Sequence, residues 1–269
     1  MSTYQTAFAD FPMPERQLKP RTRGLSMMID WGMGLQRQAD LLDSTSQWID
    51  FAKIAAGIAR FMPRAVLADK LEHYRAHGIS TSPGGLFAEV AMKMRRFEDY
   101  VAQAMDVGFT GIEISDNLLD MTLAEKAAAI RHAKSRGLKV FGEVGRKDAV
   151  QDAAAFLADV ANCLDSGADW IFLEASELYA EGVIRQDLIA KLAERFPAER
   201  LIYELPVVII PGISRDFKHQ TATWLVRELG TDVNLANLEW DELYITELVR
   251  RGFAGDKSHP QGVYRMAGF

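Results

Sequence analysis

The chain has 269 residues, 48% hydrophobic and 25% charged, enough to bury a core without a disulfide or metal staple. A formal charge of −6 removes the electrostatic case for a nucleic-acid partner, and no uninterrupted apolar run reaches the length of a membrane span. The single cysteine, Cys163, excludes an internal disulfide and fits a reducing, cytoplasmic setting; in the helical pattern AFLADVANCLDSG it reads as a small buried residue.

Residues 1–20 hold three prolines together with Phe8 and Phe11, and lack the basic-then-apolar layout of a signal peptide. They read as an extended arm, either packed on a neighbouring subunit or partly ordered. From residue 21 to 269 one domain is predicted, in which short apolar segments alternate with amphipathic helices. The strands fall at 25–30, 49–54, 78–82, 111–115, 139–144, 169–175, 200–205 and 232–238. Between them, MTLAEKAAAIRHAKSRG and VQDAAAFLADVANCLDSG show helical spacing of Leu, Ala, Ile and Phe, and each stops at a glycine. SPGG at 82–85 is either a backbone cradle for an anion or a plain turn before the helix FAEVAMKMRRFEDYV. Eight strand–helix units predict an α/β fold, a single (β/α)₈ TIM barrel with an N-terminal extension.

The polar residues near the strand ends sharpen this. Lys53, Ser82, Glu113, Glu143, Glu174, Glu204 and Asn234 are separated by 29, 31, 30, 31, 30 and 30 residues. That interval is one βα unit, so these residues take comparable places in successive units. Asp30, closing the first strand, joins them. In a closed barrel the C-terminal strand ends share one mouth, where the active site sits, and the spacing therefore predicts a polar ring around a common cavity. Crowded carboxylates repel one another and need compensation from Lys53, Arg146, Lys147 or a divalent cation with oxygen ligands, for which Mg²⁺ is the natural candidate. Asp30, Glu143, Glu174 and Glu204 are the candidate metal ligands. No histidine pair has convincing ligand spacing; His73 and His77 are four apart but lack the HExxH context.

Several segments then carry a resemblance. RTRGLSMMIDWGMGL, IDFAKIAAG, LEHYRAHGISTSPGG, GFTGIEISDN, GLKVFGEVGRKD, DVNLANL and RRGFAGDKS, in order from Arg21 to Ser258, resemble the phosphosulfolactate synthase family, whose members add sulfite to phosphoenolpyruvate in coenzyme M biosynthesis. The resemblance implies Mg²⁺ dependence, a small anionic substrate, homo-oligomerisation and a site at the barrel mouth. Carried over residue by residue, it makes Lys147 in GEVGRKD the general-acid candidate, with Lys53 and Glu113 as further catalytic candidates. Arg23, Arg146, Ser82, Trp31 and Asn234 are candidates for substrate contact.

The chain also departs from the family pattern. Trp31 stands where the family has a Lys after the first-strand Asp. AAGIA (55–59) replaces a Gly-Trp-Gly-Thr run, PGGL (83–86) replaces Pro-Gly-Gly-Thr, and EASELYAEG (174–182) lacks the Arg of the family's sixth strand. Three readings follow. The first is C–S bond formation from phosphoenolpyruvate and sulfite. The second is a related synthase or lyase that stabilises an enolate with a metal but takes a less anionic, bulkier substrate, with Trp31 as a flat wall. The third is a non-catalytic, stress-related barrel, against which the retained charged ring argues.

Overall fold

A computed structural model describes residues 6–11, 14–146, 150–180 and 183–253. All eight predicted strands form: β1 (Ser26–Asp30), β2 (Phe51–Ile54), β3 (Ser80–Ser82), β4 (Gly111–Ile114), β5 (Lys139–Val144), β6 (Trp170–Leu173), β9 (Leu201–Glu204) and β10 (Leu235–Leu238). They make one sheet in the order β3-β2-β1-β10-β9-β6-β5-β4, with every ladder parallel. The two end strands meet across a seam where Thr81 N–H donates to Thr110 Oγ1 (2.9 Å), and the sheet is a nearly closed (β/α)₈ barrel.

Strand alternation sorts the apolar residues into two cores. Met27, Ile29, Phe51, Phe141, Phe172, Ile202 and Ala236 point inward and form one buried cluster. Phe51 on β2 and Phe141 on β5 are not sheet neighbours, so their 5.0 Å ring contact crosses the barrel interior; Phe172 stacks on Phe141 at 4.9 Å. The alternate residues, such as Met28, Ala52, Ile54, Ile112, Ile114, Ile171 and Leu173, face the helices and belong to the outer core. Cys163, on α6 (Ala153–Asp165), is fully buried there, in the space that Gly142 leaves by having no side chain.

The helices are α1 (Leu35–Thr45), α2 (Arg64–Ala76), α3 (Gly85–Lys93), α4 (Phe97–Val107), α5 (Leu123–Ser135), α6, α7 (Gln186–Arg195), α8 (Arg215–Leu229) and α9 (Leu243–Arg250). A Thr122–Glu125 capping box opens α5 and the Asp152 side chain caps α6. The single helix expected after SPGG is in fact two. Arg95 adopts φ 55° and turns the chain, so that Tyr100 on α4 folds back edge-on against Phe87 on α3 at 5.1 Å. A short antiparallel hairpin, β7 (Tyr179–Ala180) with β8 (Val183–Ile184), follows β6, where no strand is predicted.

The described part of the arm packs on its own barrel rather than reaching away from it. Arg16 ion-pairs with Asp232 (2.9 Å) and Glu247 (3.1 Å), and Arg21 with Asp50 (2.8 Å). Phe8 and Phe11 remain exposed. Among the described residues no helix is long and apolar enough to cross a membrane.

Candidate active site

At the C-terminal end of the barrel the inward-facing positions change from apolar to charged. Lys53 lies one step beyond Phe51 on the inner face of β2, Glu143 one step beyond Phe141 on β5, and Glu204 one step beyond Ile202 on β9. Glu113 on β4 and Glu174, just past β6, complete the group. All five side chains are buried. Lys53 Nζ bridges Glu113 (Oε2, 2.9 Å) and Glu204 (Oε1, 3.0 Å) across the mouth, 4.7 Å above the Phe172 ring. Burial opposes the Lys53 charge, but Glu113, Glu204 and Glu143 outweigh it and hold the ammonium above its ordinary range. Burial pushes the Glu113 carboxyl up to about 8 against the pull of Lys53, and the neighbouring Glu143 and Glu204 charges push the same way.

Glu143, Glu174 and Glu204 each place a carboxylate oxygen within 4.8 Å of the others. Three hard oxygen donors converging in a buried pocket fit a small divalent cation. Asn117, in the loop after β4, donates from Nδ2 to Glu143 Oε1 and so orients one of these ligands.

Two glycines let the backbone come this close. Gly85 N–H donates to Glu113 Oε1 (2.8 Å), and a side chain at 85 would run into Ser115 Oγ. The Pro-Gly-Gly turn therefore spends this N–H on a mouth carboxylate rather than on an outside anion. Gly145, at φ 117°, lies against Glu174 Cβ and Glu177 Cγ, where a Cβ would be 2.7 and 2.6 Å away.

The other sequence candidates divide by parity and height. Ser82 ends β3, is buried, and pairs in register with Lys53. Trp31 faces inward just past β1, and its Nε1–H donates to Glu239 Oε2 (2.9 Å). Arg146 lies at the rim with its guanidinium on Asp120 (2.7 Å), while its N–H donates to Glu177 Oε1 (3.2 Å). Lys147 lies outside the described residues. The fully buried Glu177 also accepts from Gln151 N–H (2.9 Å) and Arg185 (3.0 Å), so it fixes both described ends of the segment that carries Lys147.

Three candidates are not brought to this group. Asp30 follows inward-facing Ile29 and points outward. Its Oδ1 accepts from Gly32 and Met33 N–H (2.7 and 2.9 Å), and its Oδ2 from Lys70 Nζ and Tyr74 OH (2.6 and 2.8 Å). Every lone pair is in use, so Asp30 ties β1 to α2 instead of joining the carboxylate cluster. Asn234 lies before β10, at the opposite end of the barrel, where Oδ1 accepts from Leu25 N–H (2.8 Å) and Nδ2 donates to Leu201 O (2.9 Å). The register pairs Glu204 with Ala236, so a thirty-residue step from Glu204 stops short in the last unit. Arg23 is at that same end, half-exposed beside Glu199 (3.3 Å).

The residue that takes the mouth position after β10 is Glu239. It meets Trp31 and the buried Lys218 (3.6 Å), which also pairs with Glu242 (2.8 Å). Its signal in the sequence is a carboxylate closing the apolar run NLANLE, and Asn117 had one in following the strand GIEIS.

Asp30→Asn should lower stability by about 3–5 kcal/mol, since it leaves the Lys70 ammonium buried without its counter-charge, and should leave the response to added Mg²⁺ as it is in the parent. Urea unfolding and metal titration separate the two effects, and a fall in Mg²⁺ affinity would return Asp30 to the metal group.

Comparison with known proteins supplies the context for this geometry. The family model described as (2R)-phospho-3-sulfolactate synthase matches residues 14–256. A phosphosulfolactate synthase of Methanothermobacter thermautotrophicus is 32% identical over 258 residues, covering 92% of this chain and 96% of the relative. Protein HEAT-STRESS-ASSOCIATED 32 of Arabidopsis thaliana is 25% identical, covering 82% of this chain and 84% of its own. Among solved structures, 3-hexulose-6-phosphate synthase from Salmonella typhimurium aligns with a TM-score of 0.53 at 16% identity over 85% of this chain and 99% of the other, a likeness of fold.

Proposed function

The chain belongs to the phosphosulfolactate synthase family, and from that premise we propose that it is a Mg²⁺-dependent enzyme adding sulfite to phosphoenolpyruvate. The observation that carries this reading is the mouth itself: a buried lysine held between Glu113 and Glu204, with Glu204, Glu143 and Glu174 close enough together to share a cation. In the reaction the sulfur lone pair forms a C–S bond to the methylene carbon. The double-bond electrons move towards the substrate carboxylate, and the phosphate-bearing carbon takes up a proton. Mg²⁺ held by Glu143, Glu174 and Glu204 would supply positive charge where the carboxylate becomes more electron-rich.

The protein's own groups do the rest. Lys53 keeps a fixed positive charge in a dry site, where it counts for more than in water. Asn117 and the Gly85 N–H hold Glu143 and Glu113 in place. Arg146 at the rim is the described cation nearest in sequence to Lys147, to which we assign delivery of the proton. The protein acts in the cytoplasm as a homo-oligomer on small anionic substrates.

Trp31 favours a second reading. An indole pinned by Glu239 stands where the family carries a lysine, and Ser176, following Glu174, donates to Arg146 O (2.9 Å) where the family carries an arginine. An anion loses partners at both places, so the alternative is the same enolate chemistry on a less anionic substrate. Incubation with phosphoenolpyruvate, sulfite and Mg²⁺ decides between them. Robust formation of a sulfonated product, lost in Lys147→Ala, supports the first reading. No product from folded, Mg²⁺-loaded protein rejects it and leaves the second.

A further inference from the structure

Opposite the mouth, on the N-terminal face, the barrel and the arm line a half-open cavity of about 410 Å³. That is a volume typical of small-molecule sites. Its barrel wall consists of the first residues of four strands: Phe51, Ser80, Lys139 and Trp170. Phe51 and Trp170 lie against each other at 4.7 Å and form an aromatic floor. The end of the arm supplies the other wall with Lys19 and Pro20, joined by Arg21 at the start of the barrel domain.

The charge of this cavity is unbalanced. Lys19, Arg21 and Lys139 line it against the single carboxylate of Asp50. Asp50 is already spent, since it accepts from Arg21 Nε and Nη2 (3.1 and 2.8 Å) and from Ser26 N–H (2.8 Å). Among the described residues Lys19 donates only to backbone carbonyls, those of Ser46, Ile49 and His77. Burial accordingly pulls Lys19 down to about 8, with Asp50 opposing that fall. Lys139 donates to Ser80 Oγ (2.5 Å) and lies 5.9 Å from the Trp170 ring. Among the described residues it has no carboxylate partner, so two of its N–H groups remain to be used. Gln47 Nε2, also in this wall, is buried without a hydrogen-bond partner among the described residues.

The geometry points to a second binding site, on the N-terminal face, for a small carboxylate carried on a flat apolar body. Lys139 takes the carboxylate, and Trp170 with Phe51 takes the flat face. Lys19 and Arg21 add positive potential without needing to move. The site is separate from the carboxylate mouth and independent of the chemistry proposed there. It also gives the arm a role, because the arm forms the wall opposite the aromatic floor.

Benzoate is the probe, measured by titration calorimetry on the full chain against benzamide, its neutral isostere. Benzoate should bind saturably with a dissociation constant on the order of 1 mM. Benzamide, and benzoate with Lys139→Gln, should bind about tenfold more weakly, the value of one charge-assisted hydrogen bond. Lys139→Arg should retain binding. Lys139 is exposed at the start of its strand, so neither variant threatens the fold. Glu174→Gln, at the other end of the barrel, should leave benzoate binding as it is. Absence of saturable binding, equal affinity for benzamide, or binding lost in Glu174→Gln but kept in Lys139→Gln would each overturn the assignment.

Discussion

Replacing Lys53 by methionine should cut turnover by about 100- to 1,000-fold, the usual loss when one preorganised charge is removed from a dry site. It should also lower folding stability by about 3–5 kcal/mol, because one partner of a buried ion pair is removed and the other stays. Methionine keeps the length and packing of the stem over Phe172 and removes only the charge. The charge matters because Glu113 and Glu204, each only 2% exposed, both face the ammonium. Without it, two carboxylates would confront each other in a low-dielectric pocket, with Glu143 close by. Turnover and urea unfolding are both needed, with activity measured where circular dichroism shows the variant folded. Normal turnover would remove Lys53 from the mechanism. Unchanged stability with lost turnover would mean that the attraction in the pair only balances its desolvation, leaving its purpose catalytic.

Much of this mouth was legible in the sequence because a βα unit has a nearly constant length. Counting thirty residues from one strand-ending polar group to the next located Lys53, Ser82, Glu113, Glu143, Glu174 and Glu204, and the structure places all six on the C-terminal side of the barrel. Two physical features limited the count. Parity is the first. Asp30 ends its strand as the others do, but one residue beyond inward-facing Ile29, so its carboxylate turns to Lys70 and Tyr74 in the outer layer. Stagger is the second. Neighbouring strands in a closed barrel are offset, and in the last unit the residue level with Glu204 is Ala236, which puts Asn234 below and Glu239 at the rim. The partners that orient the carboxylates were less legible still. Asn117 acts from a loop, Gly85 from the first position of α3 and Glu177 from a 3₁₀ turn, places where no strand periodicity marks a residue as facing the site. The left-handed turn at Arg95 that divides α3 from α4 interrupts no hydrophobic pattern, and so the segment reads as one helix.

Glu174→Gln should change metal affinity and intrinsic stability in opposite directions. Mg²⁺–oxygen distances of about 2.1 Å put adjacent ligands roughly 3 Å apart. Oxygens of Glu143, Glu174 and Glu204, which lie within 4.8 Å of one another, would close by up to about 1.8 Å to take a cation. Before the ion arrives, the same closeness is a liability, because like charges in a buried site repel. A neutral amide at 174 relieves that repulsion while leaving the bridge between Lys53 and the Glu113–Glu204 pair untouched. The metal-free variant should therefore melt at the same temperature as the parent or higher, whereas Mg²⁺ should bind at least about 100-fold more weakly and give little thermal stabilisation. Glu174 also accepts from Ser176 N–H and Oγ over long contacts, at 3.4 and 3.5 Å. A variant that is less stable without metal, yet keeps the full Mg²⁺ response, would mean that the cluster holds the barrel together and that the cation, if the chemistry uses one, binds elsewhere.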